Sequence, residues 1–453
     1  MFAKNYTHTP GTAWGWSIHA AALSMPVVLV AYLCCHYEPA HSLLGLFLVE
    51  WLLVIAAWRL LCPWAGKRGV IIASQLFLFC CLIQYIVVEE NIRSYSYNWI
   101  WSDELRYVLQ ARNVVYALQF PAVNLPDAWQ AVTDPLYGGW SMAGWPFILG
   151  LVTSVISSDP SLELIHAVAL SLNTTFITIL LSVMFNLLPE YAKAHPWKLF
   201  LIFLLLSGDP LVFAAEARKE TILQLSLMMA FAFNLKSVQS RYLSLLLGTL
   251  GMLVVLTTRP AYLPLLFVIF YWAKTEGTRI PIGYRILIPI IAIALFGGGL
   301  LNFQIREIPF IELLGPKVVD VQVVNYGLSR IIYNIPLVGP VAYYLLVPFP
   351  VFPWKILEQT FIIKAIIRSL GSLAWFFCFC YVVKSTITNG RKLLKEKRFR
   401  YSSVLFFGLF FATVIIASEP RYKQPTNYFL LMMFVLSHST GRRVVPVVIA
   451  GPP

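Results

Sequence analysis

Asp103-Glu104-Leu105-Arg106-Tyr107 sets two adjacent carboxylates and a cation just past a long apolar run, where a membrane would end. Ionisable groups are costly within hydrocarbon yet reachable by substrate at its edge, so a compact acidic cluster there marks a candidate site at a water-membrane boundary. Neighbouring residues on a helix point different ways, so this spacing does not build the facing carboxylate pair of glycoside hydrolysis. One carboxylate would act as a general base and the other as its partner or orienter. Two solvated acids in an external loop would have the same spacing.

Three further polar clusters accompany it: Glu216 to Glu220, Arg259-Pro260, and Glu419 to Lys423, with Arg112 following the first motif. In the second, Arg218-Lys219-Glu220 lies in a very short turn between apolar runs, which holds its cations near headgroup level, where they suit a lipid phosphate. Arginines and lysines at span ends also snorkel to anchor helices without any ligand.

The elements that must position these residues are membrane helices. Of 453 residues 59% are hydrophobic and only 12% charged, with a mean hydropathy of +0.73. Soluble chains carry roughly 25% charge, so the composition is that of a polytopic membrane protein. The expected fold is all-α, one transmembrane domain over residues 1–453 with no soluble domain.

Apolar runs of spanning length lie at residues 14–35, 43–62 and 69–88. Lys67-Arg68, between the second and third, should be cytoplasmic. The third run then emerges outside and carries Asp103 and Glu104 to the periplasmic or lumenal face. Further spans are expected at 162–187, 199–215, 221–235, 242–258, 261–274, 285–302, 362–385, 401–418 and 427–440. Lys193 with Lys198, Lys236 with Arg241, Lys274 with Arg279 and Arg285, the run Arg391 to Arg400, and Arg442-Arg443 then all fall in the cytoplasm. This requires that Trp140 to Ser157 and Leu337 to Trp354 do not cross. Gly144 with Pro146, and Pro340, Pro348, Pro350 and Pro353, interrupt them, and both read as interfacial or re-entrant helices on the outer face. The result is a bundle of about 12 spans with both termini cytoplasmic. It has external loops over 89–160, with the acidic motif, and over 303–360. Arg218, Lys219, Arg259, Arg421 and Lys423 end on the outer side, where the orientation rule disfavours positive charge.

Several chemistries are disfavoured. The seven cysteines form neither a disulfide framework nor a CxxC ligand set, the pairs in apolar runs reading as buried thiols, and the histidines lack ligand spacing. No GxxxxGK[ST] loop occurs, and Gly297-Gly298-Gly299 reads as a packing or kink feature. No nucleotide or metal cofactor is therefore indicated. The net charge of +13 sits in short loops, which fits orientation in a membrane rather than nucleic-acid binding. The first run lacks a cleavage site and reads as a retained span. The sequons at Asn5 and Asn173 read as coincidental, one cytoplasmic and one within a span. Tyr95, Tyr97, Trp99, Trp101 and Tyr107 read mainly as interfacial anchors.

Ser102-Asp103-Glu104-Leu105-Arg106-Tyr107, followed by Ala111-Arg112, resembles the first external loop of the GT-C superfamily of membrane glycosyltransferases. It is similar to the Asp-Glu-x-Arg-Tyr of lipid A aminoarabinose transferases and the Asp-Glu of protein O-mannosyltransferases. Glu419-Pro420-Arg421-Tyr422-Lys423-Gln424-Pro425 resembles the Arg-Tyr-x-x-Pro turn before the last span of many bacterial members. Asp209-Pro210 through Ala217-Arg218-Lys219-Glu220 looks like an external turn carrying a basic-acidic pair. The resemblance covers roughly residues 98–430. The chain departs from the simplest family pattern in having two spans before the one leading into the acidic loop, and it lacks the large soluble C-terminal domain of some members.

The resemblance implies a GT-C-like fold and a sugar donor on a polyprenyl phosphate, with transfer to an extracytoplasmic glycan or lipid-linked acceptor among membrane lipids. A bacterial inner membrane with a periplasmic active site is the expected location. The lipid phosphate departs as an anion, so cations that offset its charge are useful and a general acid is dispensable. The expected assignment makes Asp103 the base, with inversion at the anomeric centre, and Glu104 an orienter. Arg106, Tyr107, Arg112, Arg218, Lys219, Glu220, Arg259, Arg421, Tyr422 and Lys423 are expected to bind substrate. A repeat-unit polymerase or ligase is the nearest alternative. A polyprenyl-linked glycan transporter or flippase, using intramembrane charges such as Glu50, Arg59, Lys364 and Arg368, is another.

Overall fold

The computed structural model describes residues 40–61, nine positions between 73 and 87, and 102–119, 124–133, 143–188, 212, 214, 217–235, 241–275, 341, 362–416 and 424–441. Among the described residues there are eleven α-helices, one short 3-10 helix and no strand. The expected runs 14–35 and 285–302, the segment Leu337 to Trp354 except Val341, and the motif Glu419 to Lys423 lie outside them, as does 199–215 except Val212 and Ala214.

The helices are α1 (Ala40–Leu61), α2 (Ser102–Ala117), α3 (Leu125–Thr133), α4 (Gly144–Ile156), α5 (Leu162–Leu187) and α6 (Glu220–Asn234). They continue with α7 (Arg241–Thr258), α8 (Leu263–Thr275), α9 (Ile362–Leu393), α10 (Lys397–Ile416) and α11 (Gln424–Gly441). The 3-10 helix Pro260–Tyr262 joins α7 to α8. Two helices, α5 with 26 residues and α9 with 32, are long and apolar enough to cross a membrane. At 1.5 Å per residue α5 is ~39 Å long, against a hydrocarbon core of ~30 Å. The apolar helices α4 and α6 are shorter.

Local rules account for several helix boundaries. Ser161 caps α5 by accepting the backbone N–H of Leu164 at 3.1 Å. Asn124 does the same for α3 through the N–H of Asp127. Pro146 sits in the first turn of α4, where no intrahelical donor is lost, so this proline marks the start of a helix. With 13 residues α4 is too short for a full crossing.

α5 is the hub of the packing, contacting α1, α2, α4 and α6, while α6 also packs on α7, α8 and α11. Polar ties bind the hub to its neighbours: the Trp58 indole donates to the carbonyl of Thr178 at 3.2 Å, and Ser171 to the carboxylate of Glu50. Gln84 donates to the carbonyls of Leu170 and Ala214 at 2.8 and 2.7 Å. Glu50 thus faces the bundle interior, whereas Arg59 is exposed in the last turn of α1. Cys80, Cys81 and Cys378 are buried free thiols. At the far end of α5, Arg398 donates to the carbonyl of Leu187 at 2.9 Å, a cation on the negative pole of the helix.

Outward faces are apolar. α1 exposes Leu48, Val49, Leu52 and Leu53, α7 exposes Leu245, Leu246, Leu250 and Leu253, and α9 exposes Ile362, Ile363, Ile366 and Leu370. The interior holds polar groups such as His166, Asn173 and Gln224. The interior is otherwise mainly leucine, valine, alanine and phenylalanine, so apolar side chains both fill the core and line these outer faces.

Candidate functional site

Helix α2 carries the acidic motif, and its periodicity takes Glu104 into the core. Tyr107, Val108, Ala111, Val114 and Val115 form the buried stripe, at the i, i+1, i+4, i+7 and i+8 positions of one face. Glu104 precedes Tyr107 by three residues and shares that face, so its side chain enters the core and is only 1% exposed. Asp103 belongs to the first turn of α2, one position and a turn of ~100° from Glu104. Its side chain lies outside the described set.

Glu104 reaches the turn before α6. Its Oε1 accepts the backbone N–H of Ala217 at 2.8 Å, and the Trp145 indole on α4 donates to the carbonyl of the same Ala217 at 3.0 Å. Both backbone polar groups of Ala217 are thereby held, from two helices. Asn173 on α5 donates to the carbonyl of Arg218 at 3.4 Å, and the Lys219 ammonium donates to the carbonyl of Thr258, the last residue of α7, at 2.9 Å. The turn Ala217-Arg218-Lys219 is therefore held by side-chain or backbone groups of α2, α4, α5 and α7.

This clamp fixes a basic centre. Arg218 and Lys219 are 6% and 2% exposed, and Lys219 Nζ lies 6.0 Å from the ring centroid of Tyr107. The Arg106 guanidinium is 5.1 Å from the same centroid, so two cations from separate segments address one aromatic ring. Lys219 also sits at the negative end of α7, while the positive end of α6 begins at Glu220. Arg259 follows Thr258 directly and stands 5.8 Å from the ring of Tyr262. Around the basic centre Tyr107, Ala111, Trp145, Leu149, Ile165 and Ile222 form a buried apolar wall.

Of the residues singled out in the sequence, Glu104, Arg106, Tyr107, Arg218 and Lys219 meet in this one place, with Glu220 next in chain and Arg259 one residue beyond the Lys219 acceptor. Arg112 is half-buried further along α2. Near that end the Tyr116 hydroxyl donates to Asp159 at 3.0 Å, and this bond holds its phenol above the ordinary value. Arg421, Tyr422 and Lys423 lie outside the described residues. Gln424, bonded to Lys423, opens α11 and accepts a hydrogen bond from Gln224 of α6 at 2.7 Å.

Four residues that hold the site carried little signal in the sequence. Trp145 lay in a proline-interrupted segment, and Asn173 matched a sequon. It is fully buried, and its amide is a strut for the basic turn. A polar amide inside an apolar run was its one visible clue, and the same holds for Gln224. Thr258 acts through its carbonyl, which no side-chain pattern reports. Among the described residues no cluster of histidine, cysteine, aspartate or glutamate is arranged to hold a metal ion. Comparison of the chain with protein-family models, with curated proteins and with solved structures found no match in any of the three.

Proposed function

We propose that the chain is an integral membrane glycosyltransferase of GT-C type, using a polyprenyl-phosphate-linked sugar and an extracytoplasmic glycan or lipid-linked acceptor. In this reading about 12 spans cross a bacterial inner membrane, and the site opens to the periplasm. The observation that carries it is the meeting of the acidic helix with the basic turn: Glu104 on Ala217 and Lys219 beside Tyr107, across more than a hundred residues of chain. The apolar outer faces of α1, α7 and α9 support a lipid surround.

The chemistry follows from the charges. The acceptor hydroxyl attacks the anomeric carbon while its proton passes to the carboxylate of Asp103. The bond from that carbon to the phosphate oxygen breaks with its electron pair, and polyprenyl phosphate leaves as an anion with inversion at the sugar. Arg218 and Lys219, at the N-terminus of α6, offset the charge that develops on the phosphate. Glu104 acts by positioning, since its carboxylate holds the turn that carries both cations. Arg106, Arg259 and the Arg421-Tyr422-Lys423 segment supply further contacts to donor or acceptor.

The test supplies membranes containing the protein with labelled polyprenyl-phosphate sugars and follows the label into glycan. Wild type transfers one sugar, and Asp103→Asn lowers transfer by at least ~10²-fold at equal protein level. Normal transfer by Asp103→Asn removes the base assignment, and no transfer of any sugar by wild type removes the whole reading.

A further inference from the structure

Between α6 and α11 lies a buried polar seam that the basic turn does not explain. Gln224 is 2% exposed, and both ends of its amide are committed: Nε2 donates to Gln424 Oε1 at 2.7 Å, and Oε1 accepts the Tyr428 hydroxyl at 2.7 Å. With the Tyr428 hydroxyl donating to the oxygen of Gln224, the amide nitrogen of Gln224 faces Gln424, which answers with its oxygen. The Gln424 Nε2 donors are thereby turned away from Gln224. That nitrogen is buried, in a residue 1% exposed, and has no hydrogen-bond partner among the described residues. One helical turn before Gln224, on the same face of α6, the Oε2 of Glu220 is likewise buried without a partner among the described residues.

Unsatisfied donors and an unsatisfied acceptor on one seam define what could complete them, since buried polar groups are otherwise paired. A cation would satisfy only Glu220, and an anion would satisfy only Gln424 and meet the Glu220 carboxylate. A hydroxyl group donates and accepts at once, so a neutral polyol matches both. Glu220 adjoins Lys219 and Arg218 in sequence, so the seam starts where a phosphate would be held and continues one turn into the bundle. That step is ~5.4 Å along the axis of α6.

We infer that Glu220 and Gln424, the latter oriented by Gln224 and Tyr428, form a subsite for hydroxyl groups of the donor sugar; this rests on the transfer reading above. The Glu220 carboxylate accepts a hydrogen bond from one sugar hydroxyl, and the Gln424 amide donates one to a hydroxyl oxygen. No bond is made or broken in the step.

The test uses the full chain in lipid nanodiscs. Polyprenyl-phosphate glucose, mannose, galactose and arabinose are assayed, followed by monodeoxy forms of whichever is transferred. One deoxy form should raise KM at least tenfold in wild type, and this penalty should vanish in Gln424→Glu, which keeps the acceptor for Gln224 and deletes the donor, or in Glu220→Gln. Thermal unfolding of each variant separates this from loss of fold, and a second readout asks whether methyl glycosides raise the melting temperature of wild type but not of Gln424→Glu. The same deoxy penalties in wild type and both variants overturn the subsite. If wild type transfers no polyprenyl-phosphate sugar, the transfer reading fails, and the methyl glycosides still decide the seam: no stabilisation of wild type, or equal stabilisation of the variant, overturns it.

Discussion

Glu104 Oε1 lies 2.8 Å from the backbone nitrogen of Ala217, a contact between residues 113 apart that joins the acidic helix to the basic turn. A carboxylate that satisfies a buried N–H in this way is structural support for its neighbours. Glu104→Gln retains an oxygen acceptor at the same place, whereas Glu104→Ala leaves the N–H unsatisfied. The alanine variant should lose about 1–3 kcal/mol of stability and the glutamine variant much less. Thermal unfolding in detergent measures both, and equal losses would remove the hydrogen bond from the account.

Lys219 donates to the Thr258 carbonyl and adjoins the Tyr107 ring, so its ammonium is held at a defined point of the site. Lys219→Met should lower kcat for sugar transfer by about 10²-fold or more if the cation offsets charge on the leaving phosphate. Lys219→Arg should fall between, because the planar guanidinium cannot occupy the same point. The assay is turnover at saturating donor; an unchanged kcat in the methionine variant would assign Lys219 to packing alone.

Gly150 lets α4 approach α2. A methyl group there would come within 2.5 Å of Val114 Cβ and 2.8 Å of the Ala111 carbonyl oxygen, and the latter is backbone that cannot swing aside. Gly150→Ala should therefore destabilise by about 1–3 kcal/mol and loosen the face carrying Glu104 and Trp145. A melting temperature equal to wild type would show that the helices separate without cost. Gly251, whose Cβ would meet the Ser226 carbonyl oxygen at 2.6 Å, should behave alike at the α6 and α7 contact.

Sidedness is open to direct measurement. With the seven native cysteines replaced, a cysteine at exposed Lys395 should react with an impermeant thiol reagent only after the membrane is broken, and one at exposed Asn113 should react in intact cells. Both reacting from the same side would overturn the alternation of loops, and with it the periplasmic site.

Several helix positions were legible in the sequence, because apolar runs bounded by charge report helices without reference to their neighbours, though among the described residues two are long and apolar enough to cross a membrane. The run read at 162–187 coincides with α5, and those near 221–235 and 242–258 fall on α6 and α7. Pro146 was legible as an interruption, and the structure places it in a first turn, where a proline is tolerated.

The site was legible only as a set of residue types. Adjacency on α2 shows only that Asp103 and Glu104 point different ways, and the burial of Glu104 among Tyr107, Val108 and Ala111 came with the fold. That Glu104 meets Ala217, that Trp145 holds the same residue, and that Asn173 and the Thr258 carbonyl complete the clamp depended on how four helices cross. Local pattern determines where an apolar run can form a helix, so the sequence by itself settled the positions of helices such as α5, α6 and α7. Hydrogen bonds between backbone groups and side chains far apart in the chain have no local signature, so only the tertiary structure decided which charges share a site.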